Sequence, residues 1–433
     1  MGKDKIYEKD LGYSLLRPIV DWCTKYSYRK VEVRGEENLP ADGPFILAVN
    51  HCNTLMDAIV MLRAYKGTTV FGARADMFNN KLIAKIMFFL RILPMVRQRD
   101  GLRNVLKNVE TQDTIVETLE HDIRFCMFPE GRHRAEKSLL PLGKGVFRAA
   151  LAANAKFGTE KPVYIVPTGL EYGDYFRYRS TCLVSFGEAI NVTEFIKNLN
   201  VENEAQMMEP LRKELASRMS SLITYIEHDE KYQAKWALTR VLAREDARNG
   251  SLEDRLLHNR HVVSQIEKAI EKDPEAMEKL LEKAAEFDKN RKRKGVSIWS
   301  FGNRNTIGRA FGKGLIALLG IPYFAFAAIA SLPMWLVFEI LRGKLRDRAF
   351  HNTAGLGIKL GVGPFVFLLW TILAFCLTSW PVAVLLSLLT IPSFGFFYDY
   401  TEFIRTYVSD LKLLGDKSLS KAFNKLVSDF AKI

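Results

Sequence analysis

Cysteine is scarce and scattered in this chain. Cys23, Cys52, Cys126, Cys182 and Cys376 are an odd set of five among 433 residues, with no pair at metal-ligand spacing. That pattern argues against a disulfide framework or a zinc site and favours a reducing compartment. The opening residues are charged and lack an apolar core leading to small residues, so no secretory leader is read there. Gly2 suggests myristoylation, but Ile6 stands where that motif wants Ser or Thr. Negative charge is also in deficit: 49 acidic residues face 62 Lys and Arg, for a net +13 and a pI near 9.3. Such a balance points to a polyanionic partner, whether nucleic acid, an anionic membrane face or a phosphorylated substrate. Charge is missing altogether from 361–398, and 314–341 has only Glu339. Both stretches exceed the roughly 20 residues that cross a bilayer. A nucleic-acid binder has no use for them, so no nucleic acid is expected as partner and the chain is expected to be membrane-embedded.

Five regions follow from composition. In 1–29, Leu11, Leu15, Ile19, Trp22 and Tyr26 share one helical face, which predicts an amphipathic helix interrupted only by Pro18. That face either lies in a membrane interface or packs on the domain behind it. From 30 to 199, short apolar runs at 31–33, 45–49, 69–73, 123–128, 163–166 and 182–186 alternate with helical stretches at 81–90, 102–119 and 146–155. This alternation predicts an α/β domain with a central, mostly parallel sheet flanked by helices, its chemistry at loops beyond the strand ends. Residues 200–310 are charged and helical in period, with a capping box at Ser251–Asp254 and a break at Asp273-Pro274. The run at 289–294 reads as a lipid-phosphate contact or a solvated linker. Membrane helices are expected over 311–400 and an amphipathic tail over 401–433. Basic residues flank 314–341 on both sides, which predicts a re-entrant bend near Pro322 or Pro333, with a single crossing as the alternative. The second apolar stretch predicts a hairpin turning at Ser379-Trp380-Pro381.

Three segments carry chemistry. Asn50-His51-Cys52-Asn53-Thr54-Leu55-Met56-Asp57 places an imidazole at a strand exit and a carboxylate in the first turn of the next helix. A carboxylate that holds an imidazole makes it a general base toward a hydroxyl; otherwise Asp57 only favours the helix dipole. The run 92–96 ends at Arg97 and Arg99, whose planar forks suit a phosphate. Phe128-Pro129-Glu130-Gly131-Arg132-His133-Arg134 crowds charge on another strand-end loop. There Gly131 permits close backbone approach, and Glu130 accepts from a substrate hydroxyl or clamps an arginine. The apolar strand 163–166, ending at Pro167, reads as structural.

In this order the blocks resemble the glycerolipid acyltransferase superfamily, over roughly 30–190. The resemblance implies His51 as general base and Asp57 as its orienting acid. It also implies Arg97 as a phosphate ligand, with Arg99 or Arg132 beside it, and Glu130 and Gly131 in acceptor binding. The expected reaction moves an acyl group from a thioester, acyl-CoA or acyl-ACP, to glycerol 3-phosphate or 1-acylglycerol 3-phosphate, at the cytoplasmic face of a lipid bilayer. The thioester is a co-substrate; neither metal nor cofactor is required, and acyl carrier protein is one of the two donor carriers. Two departures stand out. The family's first block has four residues between His and Asp, whereas five separate His51 from Asp57, as in some bacterial members; the third block lacks the usual Gly-Thr-Arg-Ser. A tethered scaffold of the same fold without turnover, or an acyltransferase for a non-phosphate acceptor, are the alternatives.

Overall fold

The structure, a computed structural model, describes residues 6–8, 10–95, 105–199, 201, 203–244, 250–302 and 305–433. The chain divides into two compact units. One is Met1–Ile223 with Asp347–Thr353; the other is Thr224–Arg346 with Ala354–Ile433.

The first unit runs α1 (Leu11–Ser27), β1 (Tyr28–Arg34), β2 (Phe45–Val49), α2 (Leu55–Ala64), β3 (Thr69–Arg74), α3 (Lys81–Phe89), β4 (Ile92–Met95), α4 (Val105–Glu120) and β5 (Arg124–Met127). It continues through α5 (Gly145–Phe157), β6 (Tyr164–Tyr172), β7 (Ser180–Phe186), β8 (Ile190–Asn191), α6 (Val192–Leu199) and α7 (Glu204–Ser221). The sheet has the order β1-β7-β6-β2-β5-β3-β4, with β8 paired to β6. Every pairing is parallel except β6 with β7 and with β8. This is the expected α/β architecture. Central β2 is buried at all positions, which is why its sequence reads as an unbroken apolar run. Ile46, Phe125, Ile165, Phe147 and, from α7, Leu211 and Leu215 share one core.

Two strands differ from expectation. Short edge strand β4 tolerates Pro94 because an edge needs fewer ladder donors. β6 is not ended by Pro167; it continues to Tyr172. The proline lacks a donor, but its carbonyl accepts from the Gly187 N–H at 2.8 Å, and Thr168 takes up pairing with Asn50 and β7. β6 thereby changes its outer neighbour from β8 to β7 without leaving β2.

Helix α1 runs unbroken through Pro18, and it presents its apolar face outward. Leu11, Leu15, Ile19 and Trp22 are exposed, as are Leu82, Ile83 and Ile86 on α3. The polar side docks instead: the Arg17 guanidinium donates to the carbonyls of Leu62 and Tyr65 at the C-terminal end of α2, where a cation complements the helix dipole.

The second unit comprises α8 (Tyr232–Leu242), α9 (Leu252–Lys272), α10 (Pro274–Arg293), α11 (Ile307–Lys344), most of α12 (Phe350–Gly361), α13 (Gly363–Leu377), α14 (Trp380–Gly415) and α15 (Lys417–Phe430). Leu238, Ile266, Leu281, Phe287, Phe301 and Phe423 form its soluble core. The capping box at Ser251 and Asp254 opens α9, and Pro274 starts α10. Part of the basic run is internally paired: Arg291 and Lys292 with Asp288, and Lys294 with Asp416.

Among the described residues, α11 and α14 are long and apolar enough to cross a membrane, and the bent pair α12–α13 makes a third if it is one span. No re-entrant bend forms in α11, which stays helical through Pro322 and Pro333. A proline costs a helix one hydrogen bond, and membrane helices absorb this locally. The hairpin turn falls between Leu377 and Trp380 as expected, with Pro381 in the first turn of α14, where its missing N–H costs nothing.

Candidate active site

Parallel strands β2 and β5 deliver their C-terminal loops side by side, and this sets the site. His51 follows β2 and Glu130 follows β5; the His51 N–H donates to Glu130 Oε1 at 2.7 Å. The second oxygen of Glu130 accepts from the Leu140 N–H at 2.8 Å. Glu130 thus braces the backbone under the imidazole, a use its sequence position did not reveal. Burial pushes its carboxyl up to about 7, against the downward pull of those two amides and of His51. The folded protein therefore binds this proton more tightly than the unfolded chain, whose carboxyl titrates near 4.5. Its contribution to stability is present below that value and is lost as pH rises through about 7. The thermal midpoint of the wild type should fall across this window relative to that of Glu130→Gln, and parallel curves would refute the assignment.

Asp57 sits in the first turn of α2, fully buried, and is wrapped in donors. Its Oδ2 accepts from the backbone N–H of Cys52 at 2.8 Å and of Asn53 at 2.7 Å, and lies 2.7 Å from His51 Nδ1. Its Oδ1 accepts from the Tyr172 hydroxyl at 2.7 Å. A carboxylate so held only accepts, so Nδ1 carries the imidazole proton and Nε2 presents its lone pair. The ring is 18% exposed and stacks on Phe128 at 4.4 Å. The extra residue between His51 and Asp57 does not part them. Within that loop Thr54 has a φ of 50° and a ψ of −129°, which suit glycine better than a β-branched residue.

Around this pair, Asn50 extends the β2–β6 ladder by its side chain, accepting from the Leu170 N–H at 2.6 Å and donating to the Leu170 carbonyl at 3.2 Å. Gly131 has a φ of 64°, which favours glycine, and turns the chain after Glu130. Arg132 is exposed, Arg134 donates to Ser138 and Leu139, and His133 lies edge-on to His51 at 5.7 Å. Arg97 and Arg99 lie outside the described residues. Among the described residues, no cluster of three or more His, Cys, Asp or Glu is arranged to hold a metal.

Sequence reasoning missed two members. Tyr172 donates to Asp57 from the end of β6, and burial raises its hydroxyl well above the ordinary value, keeping it a donor. Buried Lys137 donates to Glu171 and to the Tyr172 carbonyl, fixing that strand end. Apolar strand residues around Tyr172 gave no sign of a partner 115 positions away. Tyr172→Phe strips Asp57 of one donor, at about 1–3 kcal/mol for a buried unmet acceptor. Thermal unfolding should register this as a lower midpoint, and an unchanged one would deny the contact its role.

Residues 30–171 match the family model for acyltransferases. Human 1-acyl-sn-glycerol-3-phosphate acyltransferase alpha is 28% identical over 131 residues, which are 30% of this chain and 44% of that protein. Over these residues the chain is similar to the glycerolipid acyltransferases. Glycerol-3-phosphate O-acyltransferase 2 of Saccharomyces cerevisiae is 30% identical over 117 residues, 27% of this chain and 16% of that protein. The crystal structure of the 1-acyl-sn-glycerophosphate acyltransferase of Thermotoga maritima aligns at 18% identity with a TM-score of 0.35, covering 49% of this chain and 81% of that one. The chain spans less than half the length of the human relative, so the family likeness applies to the first unit, where His51 and Asp57 lie.

Proposed function

We propose that the protein is a membrane-bound O-acyltransferase of glycerolipid synthesis. It moves a fatty acyl group from acyl-CoA or acyl-ACP to a hydroxyl of glycerol 3-phosphate or 1-acylglycerol 3-phosphate. The observation that carries this reading is the Asp57-held imidazole, partly exposed at the mouth of two strand-end loops. His51 Nε2 takes the hydroxyl proton as the acceptor oxygen attacks the thioester carbonyl. Asp57 steadies the imidazolium that results. Collapse of the tetrahedral intermediate breaks the carbon–sulfur bond, and the proton passes from His51 to the departing thiolate. Arg97 and Arg99, with Arg132, bind the acceptor phosphate; Glu130 holds the His51 backbone, and Gly131 lets that loop turn. The names of the human and yeast relatives support the two acceptors.

The exposed apolar faces of α1 and α3 favour a unit that rests on lipid, where acyl chains and lysolipids reside. The test is an acceptor panel with the full chain in detergent and one long-chain thioester. Glycerol 3-phosphate or its 1-acyl form should be acylated, and a monoacylglycerol lacking phosphate should not. Acylation of neither phosphate acceptor, or equal acylation of the phosphate-free one, overturns the reading.

A further inference from the structure

A short segment far along the chain belongs to the same unit as His51. Asp347–Thr353 follows α11 and carries the first residues of α12, yet it is part of the first unit rather than the second. Its contacts converge on the loops that build the site. The Thr54 hydroxyl donates to the Ala349 carbonyl at 3.2 Å and lies 3.1 Å from the Thr353 hydroxyl. Asn352 donates to the Tyr175 carbonyl at 2.9 Å, the same oxygen that accepts from Asn53 at 2.6 Å. His133 Nε2 pairs with Asp347 at 2.8 Å, and its ring meets Phe350 edge-on at 6.0 Å. Ala349 is buried.

These contacts fall where the site needs help. Thr54 and Asn53 stand between His51 and Asp57, in the loop that holds one residue more than the family's first block. Thr54 adopts a backbone conformation that a β-branched residue reaches only at a cost of order 1–3 kcal/mol. Such strain persists when surrounding contacts over-determine it, and two of those contacts come from this segment. His133, next to His51, is fixed at its far nitrogen by Asp347, itself held as a carboxylate by the Ala349 N–H and by His133.

We propose that Asp347–Thr353 is a positioning element of the acyltransferase site, clamping the His51–Asp57 loop through Thr54 and the His133 ring through Asp347. The role rests on the acyltransferase reading above. Its residues touch neither thioester nor acceptor; they act through the loop and the ring they hold. The longer first-block loop and the distant segment are then two halves of one device, since the strained turn is held by residues nearly three hundred positions away.

The test uses the full chain in detergent, comparing the wild type with Asp347→Ala/Thr353→Val, each checked for folding by its thermal midpoint. Two readouts are required. In labelled acyl transfer, kcat should fall on the order of tenfold while KM for both substrates stays within about twofold, as expected for misplaced rather than missing groups. In diethyl pyrocarbonate labelling followed by peptide mass spectrometry, His133 should react several-fold faster in the variant, its Nε2 being released. An unchanged His133 rate, or an unchanged kcat in an active wild type, overturns the proposal. If the wild type transfers no acyl group, the acyltransferase reading fails, and the labelling alone decides whether the segment clamps the ring.

Discussion

Asp57→Asn should cost the protein both stability and turnover. Four donors converge on this buried carboxylate, two of them the backbone amides of Cys52 and Asn53. An amide in the same place keeps its oxygen toward the loop, because those two N–H groups demand an acceptor there. Its nitrogen then faces the Tyr172 hydroxyl, which loses its acceptor. Exchanging charge-assisted bonds for neutral ones and stranding one donor is worth about 2 kcal/mol, or roughly 4–8 °C in thermal midpoint. The chemical loss is larger. A neutral partner offers nothing to the imidazolium that forms as the proton moves, and kcat should fall on the order of 10³–10⁴. Circular dichroism melts and labelled-acyl transfer on the same preparation check both parts; a variant with native midpoint and native kcat refutes the role given to Asp57.

His51→Ala should separate the two effects. The imidazole is partly exposed and rests on Phe128, so its removal costs the fold about 1 kcal/mol. Asp57 keeps Tyr172 and both loop amides. The loop therefore stays in place, while the base proposed for the acceptor hydroxyl is gone. A factor on the order of 10²–10⁴ in kcat is the usual worth of such a base. KM for the acceptor should change little, since the proposed phosphate ligands Arg97, Arg99 and Arg132 are left in place. Near-native melting with lost turnover is the signature that distinguishes this variant from Asp57→Asn.

Much of this was legible in the sequence because it is local. β2 coincides with the apolar run 45–49, since a strand covered on both faces has no polar positions to blur its ends. The β2 exit and the helix start after it set His51 and Asp57 within one turn of backbone, so their pairing could be read from spacing and residue type. What the sequence hides is what crosses the sheet. Tyr172 and Lys137 meet the site only because β6 lies beside β2, and no spacing rule joins them to Asp57. Pro167 read as a strand end because a missing donor is visible in sequence, whereas the Gly187 amide that completes the ladder is not. Helix α1 shows the same limit. Its amphipathic period was plain, but which face would meet the domain depended on Arg17 finding the open carbonyls of α2. The segment Asp347–Thr353 carries no motif; only folding brings it to Thr54 and His133.

The proposed role of His51 as the base for acyl transfer is open to one direct assay. Wild-type protein and His51→Ala, matched in thermal midpoint, are given a labelled long-chain thioester and saturating 1-acylglycerol 3-phosphate or glycerol 3-phosphate. Labelled lipid product from the wild type, and a rate lower by on the order of 10² or more from the variant, is the predicted result. A variant that transfers acyl groups within a few-fold of the wild type would contradict it.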